Sequence, residues 1–374
     1  MPRPSPSLLE SKFQPQLGPR AQVSRLRLAV PEALVQGSAR AVSVVAPTGY
    51  GKTTLMAQWH AALAAAQPVQ VDVAWLNLDE NDNDTPRLLR YLSAALGRCV
   101  PALAADALQD ISRTANLSVI LEDLSSRLAA HDRPVVLFLD DLHLINDPEA
   151  ARTLEWLLRY AGAHLRFVVG SREALGWPQA ELRLRGQLVE IDQRALAFDD
   201  DEASRFCAAR LAHALEPAAL PRLLEKTEGW PAAMELLTLA LNDAPDAGRL
   251  IADFATSERG VLEYLGDAVF GRLPPGQRAL AHELGQFDRF CADLAAAALG
   301  RRAPDAQLAD LQRRHLFMIP LDRQGRWFRF HHLVREYLRR HDPRDAAAID
   351  ASLVAGGAWL FDNGMVDDAV DCAV

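Results

Sequence analysis

Residues 43–59, SVVAPTGYGKTTLMAQW, pass from an apolar strand through a tight turn into the start of a helix. The turn, Ala46-Pro47-Thr48-Gly49-Tyr50-Gly51-Lys52-Thr53, meets the pattern G-x-x-x-x-G-K-[ST] at every position but the first, where alanine stands. Such a turn aims consecutive backbone N–H groups at one point in front of a helix N-terminus, where the helix dipole favours an anion. The close approach of backbone to phosphate belongs to Gly49 and Gly51, so alanine at position 46 is compatible with it. Lys52 adds a point charge, and the Thr53 hydroxyl is a hard oxygen suited to magnesium. The residues expected to hold the phosphates are therefore Ala46, Thr48, Gly49, Tyr50, Gly51, Lys52, Thr53 and Thr54.

A turn of this kind needs a sheet to carry it. Apolar runs at 41–46, 71–78, 134–141, 165–172 and 187–191 alternate with helical stretches at 52–65, 85–97, 117–130 and 148–160. Short continuous apolar runs separated by amphipathic helices predict a parallel sheet covered on both faces. The run VVLFLDD places Asp140 and Asp141 at the carboxyl end of a strand, where ligands of open α/β sheets collect. Asp140, on a strand expected to neighbour that of the turn, is the magnesium candidate alongside Thr53; Asp141 is placed to polarise a water. Arg172 ends the next strand, VVGSR, and can report on a terminal phosphate. Lys52, Asp140, Asp141 and Arg172 are the candidate catalytic set, with Arg183 and Arg185 as weaker phosphate sensors.

The remaining sequence changes character. Residues 1–40 read as an extended arm leading to a short helix, and 41–195 as the nucleotide-binding α/β domain. Residues 196–245 read as helices, with Asp199 as an N-cap and Pro231 at a first helical position. Over 246–342, helices follow one another from 258 to 315, and two short strands around Asp322–Gly325 then lead into a helix at HHLVREYLRR, which together predict a winged helix. Residues 343–374 form two helices broken at Asn363-Gly364, the start of an α-helical repeat solenoid; one such unit cannot bury its own apolar face, so further repeats are expected beyond it.

Composition removes several classes of function. With 49 acidic against 40 basic residues the net charge is −9, opposite to that of a body wrapped on nucleic acid. The arginines of 323–344 are read as solvating one helix face. No apolar run approaches the roughly 18 residues that cross a bilayer, and the start has no apolar leader core, so a cytoplasmic location and no membrane contact are expected. The four cysteines lie far apart with no CxxC pair, consistent with buried thiols in a reducing compartment. LDENDNDTP at 78–86 lacks the mid-loop glycine and closing glutamate of a calcium loop and reads as a solvated loop. His331 and His332 lack the partners of a zinc site.

With these motifs in place, the chain resembles the signal-transduction ATPases with numerous domains, the STAND class, and within it the ATP-dependent LuxR-type activators typified by MalT. The likeness runs through LLESKFQPQ and VSRLRL of the arm, APTGYGKTTLMAQW, VAWLNLDENDNDTPRLLRYL, LFLDDLHLI, VVGSR, RALAFDDDEA, EGWPAAM and LFMIPLD…WFRFHHLVREYL. The resemblance implies that Pro231 of Gly229-Trp230-Pro231 lines the adenine side of the site. It implies that His331 touches the β-phosphate of ADP, and that Arg25 of the arm lies beside the nucleotide; relatives outside the regulator group carry His-Asp where this chain has His331-His332. It further implies an ATP/ADP switch with Mg2+, slow hydrolysis as reset, an inducer bound by downstream repeats, self-association in the ATP state, and DNA contact only through a C-terminal domain absent here. Two other readings are a metabolic P-loop ATPase or kinase, and a STAND sensor with a non-DNA effector.

Overall fold

The computed structural model describes residues 8–17, 22–103, 117–174, 176–212, 215, 219–243, 270, 273–300, 304–313, 318–322 and 325–372. The part of the expected helical run at 258–269 lies outside them. The chain divides into two compact units: Met1–Ala46 with Tyr50–Leu196, and Pro47–Gly49 with Ala197–Val374.

The first unit runs α1 (Glu32–Gln36), β1 (Ala41–Val45), α2 (Lys52–Ala65), β2 (Asp72–Asn77), α3 (Thr85–Gly97), α4 (Leu117–Ala129), β3 (Val135–Asp140), α5 (Pro148–Tyr160), β4 (Leu165–Ser171), α6 (Gln179–Leu184), β5 (Leu188–Ile191) and α7 (Gln193–Leu196). Its five strands are parallel, in the order β2-β3-β4-β1-β5. Every residue of β3 and β4 is buried, which is why VVLFLD and LRFVVGS show no polar alternation. The two-residue period of the strands still sorts them by face. Leu137, Leu139, Phe167 and Val169 join the core formed with Leu92 and Leu96 of α3, Leu124 of α4 and Leu154 and Leu157 of α5. The alternate residues, among them Val136, Phe138 and Val168, point to the opposite face, and α2 packs on β2, β3 and β4. Asp84 and Asp147 cap α3 and α5 through their side chains, each followed by proline in the first turn.

The stretch 78–86 differs from its expected solvated form. Asp82 is fully buried and ion-paired to Lys12, which reaches in from a short 3-10 turn at Glu10–Phe13. Lys12 also bonds Asp79 at 2.7 Å and lies 4.6 Å from the Tyr91 ring centroid, while Arg87 reaches Asp82 at 3.2 Å. The acidity of this stretch answers cations brought from elsewhere in the chain, a compensation that a buried carboxylate requires.

The second unit contains α8 (Asp200–Arg210), α9 (Ala219–Thr227), α10 (Pro231–Asp243), α11 (Pro275–Leu284), α12 (Ala292–Leu299), α13 (Pro304–Arg313), the antiparallel pair β6 (Met318–Pro320) and β7 (Phe328–Phe330), α14 (His332–Arg340), α15 (Ala346–Asp362) and α16 (Val366–Asp371). Asp199 and Glu202 form a reciprocal capping box on α8. Several of the arginines of 323–344 pair with carboxylates while staying partly exposed. Arg329 meets Glu228, Arg335 meets Asp288, Arg340 meets Glu336, and Arg344 meets Asp342. Among the described residues no helix is long and apolar enough to cross a membrane. Cys207 and Cys291 are buried free thiols, and Cys99 and Cys372 are half-buried ones.

Candidate functional site

The turn between β1 and α2 holds Gly49 at φ 82° and Gly51 at φ 79°, both left-handed. Gly51 is the N-cap of α2, so the chain turns directly into the helix whose first residue is Lys52. Lys52 is buried, and its Nζ donates to the carbonyl oxygen of Ala46 at 2.8 Å, folding the side chain back along the turn. Burial, followed by the charge of Arg172, lowers the Lys52 pKa to about 8. A lysine placed beside another cation, away from water, is suited to a multiply charged anion.

Thr53 Oγ1 donates to Asp140 Oδ2 at 2.6 Å. This joins the two expected magnesium ligands, but by a route the sequence did not announce. β3 does not neighbour β1; β4 lies between them. The carboxylate of Asp140 crosses β4 at Gly170, where an added Cβ would collide with Asp140 Oδ1 and stand 2.8 Å from Met56 Sδ. Gly170 is thus a site residue missed in the sequence, although it stands in the VVGSR run already singled out there. Burial, and then the adjacent Asp141, raise the pKa of Asp140, and outweigh the Thr53 hydrogen bond and the charge of Lys52, which lower it. Thr53 and Asp140 fit magnesium: both are hard oxygen donors, already in contact, at the first turn of a helix.

Asp141 sits at φ 58°, a left-handed conformation that is uncommon for a residue other than glycine and is found disproportionately at functional sites. Its backbone N–H donates to Asp140 Oδ1 at 3.0 Å. Arg172 follows β4 directly, half-buried, and its charge acts on Lys52. Arg183 and Arg185, by contrast, are exposed and pair with Glu190 and Glu181. Arg25 of the arm is buried and donates through Nη2 to the Leu196 carbonyl at 2.8 Å. Its Nη1 stands 3.9 Å from where a Cβ on Gly51 would lie. Gln58 of α2 sets this segment by accepting from the Arg25 backbone at 3.0 Å and donating to the Val23 carbonyl at 2.8 Å. Tyr50 is buried, with Oη accepting from Gln193 at 2.8 Å; Thr54 follows Thr53 in the first turn of α2.

Thr48 and Gly49 cluster with the second unit. There the Trp230 indole N–H donates to the Thr48 carbonyl at 3.2 Å, and the Ala232 N–H to the Gly49 carbonyl at 3.1 Å. Pro231 is the first residue of α10. Gly229, at φ 68°, lies so close to Phe198 that a Cβ would stand 2.5 Å from its carbonyl oxygen. His331 is fully buried: Nδ1 accepts from the Leu333 N–H, which leaves Nε2 to donate to the Thr227 carbonyl at 3.0 Å. Its ring meets Trp230 edge-on with centroids 5.7 Å apart. Of the doublet at 331–332, His331 N-caps α14 and His332 begins it.

Residues 17–169 match the family described as AAA ATPase domain, and residues 266–348 match the MalT winged helix domain. The chain is a MalT-like P-loop NTPase. It is 31% identical over 99% of its length to the serine/threonine-protein kinase PknK of Mycobacterium tuberculosis, of which it covers 33%. It is 32% identical over 80% of its length to the HTH-type transcriptional regulator MalT of Cronobacter sakazakii, again covering 33%. Among solved structures, a STAND protein with a tetratricopeptide repeat sensor from Pyrococcus horikoshii aligns over 98% of this chain and 49% of its own, at 16% identity and TM-score 0.43. The chain therefore spans about a third of the length of the curated relatives it matches.

Proposed function

We propose that this chain is the nucleotide-controlled switch of a larger regulator, binding Mg-ATP and hydrolysing it slowly to ADP. The observation that carries the reading is the Thr53–Asp140 contact over Gly170, which assembles two hard oxygens at the helix N-terminus that Lys52 opens. In this reading the amides of 46–54 and Lys52 hold the phosphates, and Thr53 and Asp140 hold magnesium. Magnesium, when bound, neutralises charge on the phosphate oxygens. Asp141 orients a water whose oxygen forms a bond to the γ-phosphorus. The bond to the bridging oxygen breaks, its electron pair leaving on ADP, and the water's proton passes to Asp141. Arg172 responds to the γ-phosphate and Arg25 lies by the nucleotide; as the family resemblance implies, Pro231 lines the adenine side and His331 touches the β-phosphate of ADP. We further propose the divisions 1–40, 41–195, 196–245, 246–342 and 343–374 as arm, nucleotide-binding, helical, winged-helix and repeat segments.

The relatives favour a switch over a metabolic enzyme. By name, one is a protein kinase and another a transcriptional regulator, yet each shares with this chain a stretch of about a third of its length. A part common to two different outputs is best understood as their control element. By analogy with the MalT relative we propose transcriptional activation as the output, with ATP and an inducer promoting self-association.

A nucleotide can shift a conformational balance only by its differential affinity for the two states. Binding of a fluorescent ADP, single-turnover hydrolysis of ATP, and hydrodynamic size with ADP or a non-hydrolysable ATP analogue test the proposal together. Lys52→Ala should weaken nucleotide binding by about 100-fold, since a charge-assisted contact to phosphate is removed from a buried site. Unchanged affinity in that variant would show that the phosphates bind elsewhere. Turnover in the kinase range of about 1–100 per second would favour a metabolic enzyme instead.

A further inference from the structure

A cavity of about 320 Å³ lies in the first unit beyond the carboxyl ends of β3 and β4, with residues of α5 along one side. Neither Asp141 nor Arg172 lines it, although their neighbours Leu142, Ser171 and Glu173 do. At about twice the volume of an engineered cavity that binds benzene, it has room for a small molecule. Its walls are fixed by the fold. After β4, Ser171 Oγ donates to the Glu173 carbonyl at 2.6 Å and accepts from the Glu173 N–H at 3.1 Å. After β3, Asn83 Oδ1 accepts from the N–H groups of Asn146 and Asp147, each at 2.7 Å. Leu154 and Trp177 are buried, and the Trp177 ring meets Phe167 of β4 edge-on with centroids 5.6 Å apart. A pocket held in this way spends little binding energy on ordering itself.

Several polar groups around the cavity are left over by the fold. The Trp177 indole N–H has no acceptor among the described residues. His143, in a side chain only 10% exposed, hydrogen-bonds through neither ring nitrogen to a described residue. Buried polar groups without partners are rare in a finished core and common where a ligand completes it. Arg152 of α5 lines the cavity, is exposed, and pairs with no described carboxylate. Of the acids there, Glu155 is held by Arg159 at 3.0 Å, and Glu173 opposes an anion. The surrounding field settles the sign: burial, then Arg172, then Lys52 lower the His143 pKa to about 3, so the ring is neutral and its wall stands at positive potential. We propose that this cavity binds a small aromatic monocarboxylate, with its ring among Trp177, Ile145 and Leu154 and its carboxylate facing Arg152. The site is separate from the proposed nucleotide site and does not depend on it.

The test titrates the whole chain with three probes that share an indole ring and differ in charge: indole-3-acetate, indole-3-acetamide and tryptamine. Isothermal titration calorimetry should give the acetate a Kd of about 1 mM or below, as expected of a ligand of about 13 non-hydrogen atoms. The neutral acetamide should bind about tenfold more weakly, and tryptamine more weakly still. Arg152→Gln should bring the acetate to the level of the acetamide, because it removes the charge that tells them apart. Ala151→Leu, which fills the cavity from α5, should weaken both by more than about tenfold. Arg152 is exposed, so its variant decides the matter should Ala151→Leu fail to fold. Equal affinity for the three probes, a preference for tryptamine, or an Arg152→Gln chain that still prefers the acetate would overturn the proposal. So would undiminished binding in a folded Ala151→Leu chain, or no saturable binding of any probe up to about 10 mM.

Discussion

Charge is handled in opposite ways at two places in the molecule. Around the phosphate-binding turn of the first unit, burial and Arg172 lower the Lys52 pKa while burial and Asp141 raise that of Asp140, and the mutual attraction of Lys52 and Asp140 only partly offsets this. In the second, Arg329 grips Glu228 with two hydrogen bonds of 2.9 and 2.8 Å, and His331 uses both ring nitrogens on the backbone. Like charges crowded away from water cost stability unless an ion of the other sign joins them. Opposite charges matched within the chain need nothing further. The first arrangement fits the nucleotide site proposed above, and the second holds a backbone in shape.

The strongest way to break this contrast is to separate the two magnesium candidates without removing either. Gly170→Ala places a methyl group against the Asp140 carboxylate in the fully buried middle strand β4. Overpacking of this kind costs about 1–3 kcal/mol in a well-packed core. The carboxylate is the mobile neighbour, so it should yield and lose Thr53. The expected result is a loss of magnesium-dependent hydrolysis of about 100-fold, with ADP binding in the absence of magnesium much less affected. Equal loss of both would mean that Gly170 serves packing alone.

The local parts of this site could be read in the sequence, and the parts that cross strands could not. A strand, a glycine turn and a helix are adjacent in the chain, so residues 46–54 specify their own geometry, as does the proline at the start of α10. The strands, four to seven residues long, fall within the apolar runs that predict them, because a doubly covered sheet tolerates little polar alternation. Strand order is another matter. It depends on how finished βα units dock, and β3 and β4 are equally apolar, so nothing local reveals that β4 separates Asp140 from Thr53. Gly170 becomes meaningful only once that order is known. Lys12 and Asp82 are 70 residues apart in the chain, and their pairing places one buried carboxylate within a largely exposed stretch.

Acid sharpens the contrast more gently. His143 is held at about 3 by burial, Arg172 and Lys52, whereas in the unfolded chain a histidine titrates near 6.5. The carboxylates nearby are Asp141 and, around the cavity, Glu155 and Glu173, with Arg152 opposing them. The sign follows from linkage. Above about pH 6.5 the ring is neutral in both states and costs nothing; as pH falls toward 3 the unfolded chain takes up the proton and the folded chain does not, so stability declines. At pH 5 the loss should be about 2 kcal/mol, read from urea unfolding at pH 7 and pH 5. His143→Asn should flatten that decline. An unchanged slope would mean that the ring is more hydrated than its burial indicates.

The smallest effect belongs to the matched pair, and it tests whether matching serves backbone shape. Glu228 is one of two described residues other than glycine with positive φ, at 47°, and it immediately precedes left-handed Gly229. Its carboxylate is partly solvent-exposed, as is Arg329, so the ion pair itself should contribute no more than about 1 kcal/mol. The left-handed backbone of a residue with a Cβ costs about the same, a cost that glycine avoids. Glu228→Gly removes both terms, which oppose each other, and should leave stability within about 0.5 kcal/mol of wild type. Glu228→Ala removes the ion pair but keeps the strain, and should cost about 1 kcal/mol. Urea unfolding of the two variants separates them. If glycine proves as damaging as alanine, the carboxylate of Glu228 does more than hold a turn, and its pairing with Arg329 contributes more than a partly exposed ion pair should.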